Sequence, residues 1–185
     1  MSSLFSRLAE YYLRWRHTHG FGVHSPYAYK LVMTVLNPRG VTYYGYAEVE
    51  KTAREYSRPE AVRRDIKDGC LLLRLCAFLN TRDVFLDVRV PHALEDAASA
   101  VYRDALYPED PRDADLIVAY LKSSWLAMEG AIRRHIPVMA CHDNVDHATL
   151  EACFKANGCG VWLEGRRWSI IIPRYEMAPV HYLVL

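Results

Sequence analysis

Glycine is absent from every position between Gly69 and Gly130. That interval holds the one junction laid out like a nucleotide-cofactor turn. Asp83-Val84-Phe85-Leu86-Asp87-Val88 reads as a buried strand, and Ala93 to Tyr102 reads as a helix. The connection is Arg89-Val90-Pro91-His92. A turn that cradles a cofactor needs glycine, both to reach positive φ and to let backbone N–H groups approach the ligand. A guanidinium, a β-branched residue and a proline in that place argue against such a cradle. The local layout is that of a cofactor-binding unit from which the cofactor site has been removed.

Other absences narrow the class further. The five cysteines, Cys70, Cys76, Cys141, Cys153 and Cys159, form no Cys-x-x-Cys pair, so neither zinc spacing nor a disulfide framework is present and a reducing cytoplasm is expected. No run approaches the roughly 18 apolar residues of a membrane span. Arg7, Glu10 and Arg14 interrupt what would be the apolar core of a signal peptide. These features predict a soluble, cytoplasmic protein with no membrane partner. A formal charge of +1 gives no electrostatic reason to bind nucleic acid. The pairs Arg133-Arg134 and Arg166-Arg167 read as solvated faces.

What remains is a chain of 185 residues, 51% hydrophobic, long enough for one compact domain. Leu4, Leu8, Tyr11, Tyr12 and Trp15 recur at helical spacing, predicting an amphipathic helix over 3–16 whose stripe, able to lie on a membrane, is expected to pack on the domain or on a second subunit. Ser25-Pro26 opens a second helix that runs to about Leu36, with the hydroxyl as cap and proline at the first helical position. A third helix covers Tyr46 to Tyr56. A fourth runs from Ile66 to Asn80 and is apolar nearly all round, so it is expected to be buried on several sides. From Asp83 the pattern alternates: strands at 83–88, 115–119 and 136–141, helices at 92–102, 123–134 and 147–157. Short apolar strands separated by helices imply a parallel sheet covered on both faces. Val161 to Leu163 and Trp168 to Ile172 read as a hairpin, and His181 to Val184 as a last strand.

Several residues carry the types that chemistry uses. Asp87, Arg89 and His92 are the candidates for a vestigial cofactor pocket; Arg89 and His92, beside a helix N-terminus, are also the best candidates for holding a small anion. His142, Asp143 and His147 have metal-ligand types close together, although Asp143-Asn144 suits a turn and Asp146 an N-cap. His24 adjoins Ser25, but no acid is placed to orient it, and Ser25 is explained as a cap. Tyr43, Tyr44 and Tyr46 could line a pocket for a ring; core and interface packing is the commoner outcome.

The segment His19-Gly20-Phe21-Gly22-Val23-His24-Ser25-Pro26-Tyr27-Ala28-Tyr29 resembles the "H-G-x-G-I-H-S-P-F-V-F" motif of a bacterial group of class I S-adenosylmethionine-dependent methyltransferases. Further matches follow in order. Leu86-Asp87-Val88 resembles the acidic strand of "L-E-L-G", and Asp115-Leu116-Ile117-Val118 resembles "D-F-V-F-I-D-G". Val138-Met139-Ala140-Cys141-His142-Asp143 resembles "V-F-V-F-D-D", and Pro179 to Val184 the closing "Q-H-F-V-L". The departures fall where that family does its chemistry. Arg89 stands at the first cofactor glycine, Ala119-Tyr120 at the acid and glycine ending the fourth strand, and His142 at the first acid of the "D-D" pair. Only 26 residues separate Val88 from Asp115, too few for the two further strand–helix units, at about 30 residues each, that the complete fold needs.

The resemblance therefore implies an α/β fold: a truncated Rossmann-like class I methyltransferase sandwich, with a mostly parallel sheet, antiparallel C-terminal strands and an N-terminal helical extension. The extension is expected over 1–80, packed on a core over 81–185. The function implied is that of a degenerate methyltransferase-like protein with no catalytic residue and no cofactor, acting through protein contacts, with a homodimer formed by its N-terminal helices. The alternatives are an active methyltransferase using S-adenosylmethionine in an atypical site, and a small metal-dependent enzyme.

Overall fold

The structure is a computed structural model that describes residues 4–38, 40, 42–87, 90–101, 106–120, 125–142 and 147–184, with the backbone alone at 4–5 and 125–127. Helices come first. Helix α1 spans Leu4–Thr18 and α2 Pro26–Leu31, the latter continuing as a π-helical turn over Val32–Leu36. Ser25 caps α2 as its residue type dictates: its Oγ accepts the Ala28 N–H at 3.2 Å, and Pro26 occupies the first position. Helix α3 covers Gly45–Tyr56 and α4 Val62–Leu79, which begins four residues before its apolar run and ends on Asn80 in the left-handed region, φ 58°.

Strands and helices then alternate: β1 Val84–Leu86, α5 His92–Ser99, β2 Leu116–Ala119, α6 Trp125–Arg133, β3 Val138–Cys141, α7 His147–Asn157, β4 Val161–Glu164, β5 Trp168–Ile172 and β6 Val180–Leu183. They form one six-stranded mixed sheet in the order β1-β2-β3-β5-β4-β6. Strands β1, β2 and β3 are parallel, as are β4 and β6. Only β5 is reversed, and it lies inside the sheet between β3 and β4. The 161–172 segment is thus the expected hairpin, with β5 turned back onto β3.

At the other edge, β1 carries one extra contact: a parallel bridge from Asp83 to Leu106, closed by the Val84 N–H to the Leu106 carbonyl at 3.1 Å. Among the described residues between Tyr102 and Asp115 there is only this bridge and a 3-10 turn over Pro111–Asp113.

Period-two alternation divides the strands between two cores. Leu116, Val118, Met139 and Cys141 face the layer of α2, α3, α4 and α5, whereas Ile117, Ala119, Val138 and Ala140 face α6 and α7. The N-terminal helices therefore share one core with the sheet. Gly69 sets how closely α4 approaches α3 and α5. A Cβ there would stand 2.6 Å from Val49 Cγ1 and 2.7 Å from the Ala93 carbonyl oxygen, so α4 meets the α5 backbone and an α3 side chain with no room for a side chain of its own.

Helix α1 docks in an unexpected orientation. Its buried residue is Arg14, whose Nη1 donates at 2.8 Å to the carbonyls of both Glu164 and Val184. His17 Nδ1 lies 2.9 Å from the Leu183 carbonyl. The apolar stripe of Leu8, Tyr11, Tyr12 and Trp15 faces away from the domain, with Tyr12 59% exposed. Of the two fates expected for this stripe, packing on its own domain is not the one adopted.

Candidate functional site

Parallel strands β1, β2 and β3 end along one edge of the sheet, and reversed β5 begins there, since Cys141 pairs with Trp168. In open α/β sheets this C-terminal edge is where ligands bind. It carries Asp87, Tyr120, His142 and Trp168.

Asp87 is buried, and its Oδ2 accepts the Tyr120 backbone N–H at 3.1 Å. The carboxylate thereby extends the β1–β2 ladder by one side-chain bond. His92 opens α5 and is exposed; its Nδ1 lies 2.8 Å from Glu95 Oε2, and its ring meets Tyr56 edge-on at 5.2 Å. Arg89 lies outside the described residues. A groove of ≈ 430 Å³ does persist here, walled by Arg58, Arg64, Val90, His92 and Tyr120. Asp87 is not among its lining residues, so Asp87 and His92 do not converge on one ligand position.

Buried charge dominates the rest of the edge. Asp65 and Asp68, one turn apart on α4, are 3% and 5% exposed. Asp65 Oδ1 is 3.0 Å from Arg64 Nε, and Asp68 Oδ2 is 2.7 Å from Arg167 Nε. Burial pushes the Asp68 carboxyl above its ordinary range, against the pull of Arg167 and the Trp168 indole. Burial likewise raises the Tyr120 phenol, against the two arginines. Tyr120 packs on Trp168 with ring centroids 6.1 Å apart. Arginines thus neutralise two acids beside Tyr120.

Arg167 is therefore not the solvated residue its sequence context implies: it is drawn inward because buried Asp68 needs a counter-charge. Its neighbour Arg166 is exposed, as expected, and lies over the Tyr11 ring at 5.8 Å. Sequence reasoning missed Arg64, Asp68, Tyr120 and Arg167 as a group. One signal was available: two aspartates one turn apart on a helix apolar nearly all round must be buried, and a buried carboxylate requires a partner.

The histidines of the β3–α7 region are engaged separately. Trp162 Nε1 donates to Ser169 Oγ at 2.8 Å, and Ser169 Oγ lies 2.7 Å from His142 Nε2. The indole can only donate, so Ser169 Oγ accepts there, and its own hydrogen can go to the unprotonated Nε2 of a neutral His142. Burial holds the His142 pKa below its ordinary value, consistent with a neutral ring. His147 and His181 both reach Glu164 Oε2, at 3.0 and 2.8 Å. His142 and His147 rings are 6.5 Å apart, and Asp143 lies outside the described residues. Among the described residues no group of three or more His, Cys, Asp or Glu is arranged to hold a metal ion.

Ser25 serves as the α2 cap and His24 beside it is exposed. Tyr43 and Tyr46 pack against the core, with Tyr46 Oη accepting from Arg74 at 3.1 Å, while Tyr44 is fully exposed. Among the described residues no helix is long and apolar enough to cross a membrane. No family model, no curated protein and no solved structure matches the chain.

Proposed function

We propose that this chain is a methyltransferase-like protein that has given up cofactor chemistry and works through protein contacts, as a homodimer built on its N-terminal helices. The observation that carries this reading is the outward stripe of α1. Tyr11, Tyr12, Trp15 and Phe21 are 38–59% exposed, and Trp15 stacks at 6.3 Å on Tyr12 and 6.2 Å on Phe21, so the patch is continuous. Aromatics of about 150–250 Å² each leave roughly 300–500 Å² open here. With Leu8 and Leu13 added, a two-fold contact buries roughly 1,000 Å² in total, the lower bound for a stable interface. A patch of that size matches the largest on a typical monomer, which is often a functional one.

The pairing of Asp87 with Tyr120, the arginine-neutralised acids beside it and the short interval after β1 support the loss of cofactor chemistry. The α/β sheet with its reversed C-terminal strand accords with the methyltransferase resemblance. A second reading, an active S-adenosylmethionine-dependent methyltransferase with an unusual binding mode, draws on the groove beside His92.

Two measurements separate them. Light scattering at micromolar concentration returns a dimer mass, and Tyr12→Ser with Trp15→Ser returns a monomer of unchanged helicity; a monomeric parent chain overturns the dimer. Calorimetry with S-adenosylmethionine gives no dissociation constant at or below about 10 μM. Tighter binding than that sinks the first reading in favour of the second.

A further inference from the structure

A cleft of ≈ 470 Å³ opens on the α2–α5 side of the sheet, between α4 and the turn joining β4 to β5. Helix α4 packs chiefly on α3 and α5, and the cleft lies at its margin with β4 and β5. Its volume is in the range of small-molecule sites. Positions 67, 70, 71 and 74 share one face of α4, so this wall presents Lys67, Cys70, Leu71 and Arg74 to the cleft. Leu163 and Ile170 form an apolar floor. Burial raises the Cys70 thiol above its ordinary range, so it lines the wall as a small apolar group and not as a nucleophile.

Two features mark a built binding site. The first is an unused donor. Trp168 is 5% exposed and lines the cleft; its Nε1–H faces the Asp68 carboxyl, yet no acceptor among the described residues meets it at hydrogen-bond geometry. A buried donor left unmet costs about 1–3 kcal/mol, which a ligand acceptor would recover. The second is charge. Lys67, Arg74, Arg166 and Arg167 line the cleft against Asp68, the one acid among its lining residues, and Arg167 holds that acid at 2.7 Å.

We propose that this cleft binds an amphipathic monocarboxylate, its apolar body on Leu71, Leu163 and Ile170 and its head against the β4–β5 turn, where the Trp168 indole donates to it. The cleft adjoins the α1 stripe at Arg166, which lies over the Tyr11 ring, but its binding does not require the dimer.

Octanoate and its neutral counterpart octanol, titrated calorimetrically into the full chain, are the probes. Octanoate binds saturably, one per chain, with a dissociation constant below about 1 mM and at least about tenfold tighter than octanol. Trp168→Phe keeps the apolar surface and removes the donor; it weakens octanoate at least about fivefold and leaves octanol unchanged. Leu71→Trp fills the cleft and abolishes both. If Trp168→Phe does not fold by circular dichroism, Lys67→Glu at the exposed rim replaces it, with the same selective loss of octanoate. Absence of saturable binding, equal affinity for octanol, or full binding by Leu71→Trp overturns the site.

Discussion

Arg167 Nε and Asp68 Oδ2 lie 2.7 Å apart although 99 positions separate them in sequence, and this contact ties α4 to the β4–β5 turn. The carboxylate side chain is 7% exposed and the guanidinium 23%. Breaking a fully buried pair from one side costs about 3–5 kcal/mol, and the partial exposure of Arg167 reduces that to about 2–4 kcal/mol.

Asp68→Ala is accordingly expected to lower the melting temperature by about 5–15 °C, at roughly 2–4 °C per kcal/mol for a domain of this size. The double change Asp68→Leu with Arg167→Met recovers at least half of the loss, because an apolar pair needs no counter-charge. Thermal melts of both variants check this; a double variant less stable than Asp68→Ala would show that the pair does more than neutralise itself.

Two helical glycines should respond oppositely to alanine. Gly130 on α6 has open space where a Cβ would go, so Gly130→Ala stabilises by about 0.5–1 kcal/mol through helix propensity. Gly69→Ala gains the same term but forces a methyl to within 2.6 Å of Val49 and 2.7 Å of the Ala93 carbonyl. Overpacking costs about 1–3 kcal/mol, leaving Gly69→Ala destabilised. Urea midpoints of the two variants should move in opposite directions.

Ser169→Ala removes the shared partner of Trp162 Nε1 and His142 Nε2 and leaves both inside the protein unpaired. The expected loss is about 2–4 kcal/mol, and a loss under about 0.5 kcal/mol would mean that water replaces the hydroxyl. Equilibrium denaturation measures it.

Stability should fall as pH drops from 7 toward 5. Burial first of all lowers the folded-state pKa of both His142 and His181 below 6.5, with Glu164 opposing the shift in each. His147 and Arg14 also face His142 and reinforce the lowering. The unfolded chain therefore takes up protons first, and stability present above 6.5 is lost as pH falls toward the folded values. His142→Gln, which keeps an acceptor for Ser169, should flatten this slope. Denaturation midpoints measured across the interval decide it; a parent chain that gains stability on acidification would contradict the assignment.

Much of the secondary structure was legible in the residues because it depends on short repeats. Alternation at Leu116-Ile117-Val118-Ala119 assigns a two-sided strand, and Ser25-Pro26 assigns a helix start, whatever lies elsewhere in the chain. The gap in glycine from Gly69 to Gly130 likewise speaks against a glycine cradle after β1 from the residues alone. Tertiary structure decided the rest. The 161–172 hairpin could have continued the sheet outward; β5 turned back onto β3, and that choice brings Trp168 beside Tyr120 and Arg167 to Asp68. The stripe of α1 has the same period whether it faces inward or outward, and what turns it outward is Arg14 reaching two carbonyls at the ends of β4 and β6. Periodicity reports that a face is apolar but not what covers it, and a buried charge reports that it needs a partner but not which of several distant arginines arrives. Those outcomes depend on contacts between residues 27 to 170 positions apart, formed only when the whole chain closes.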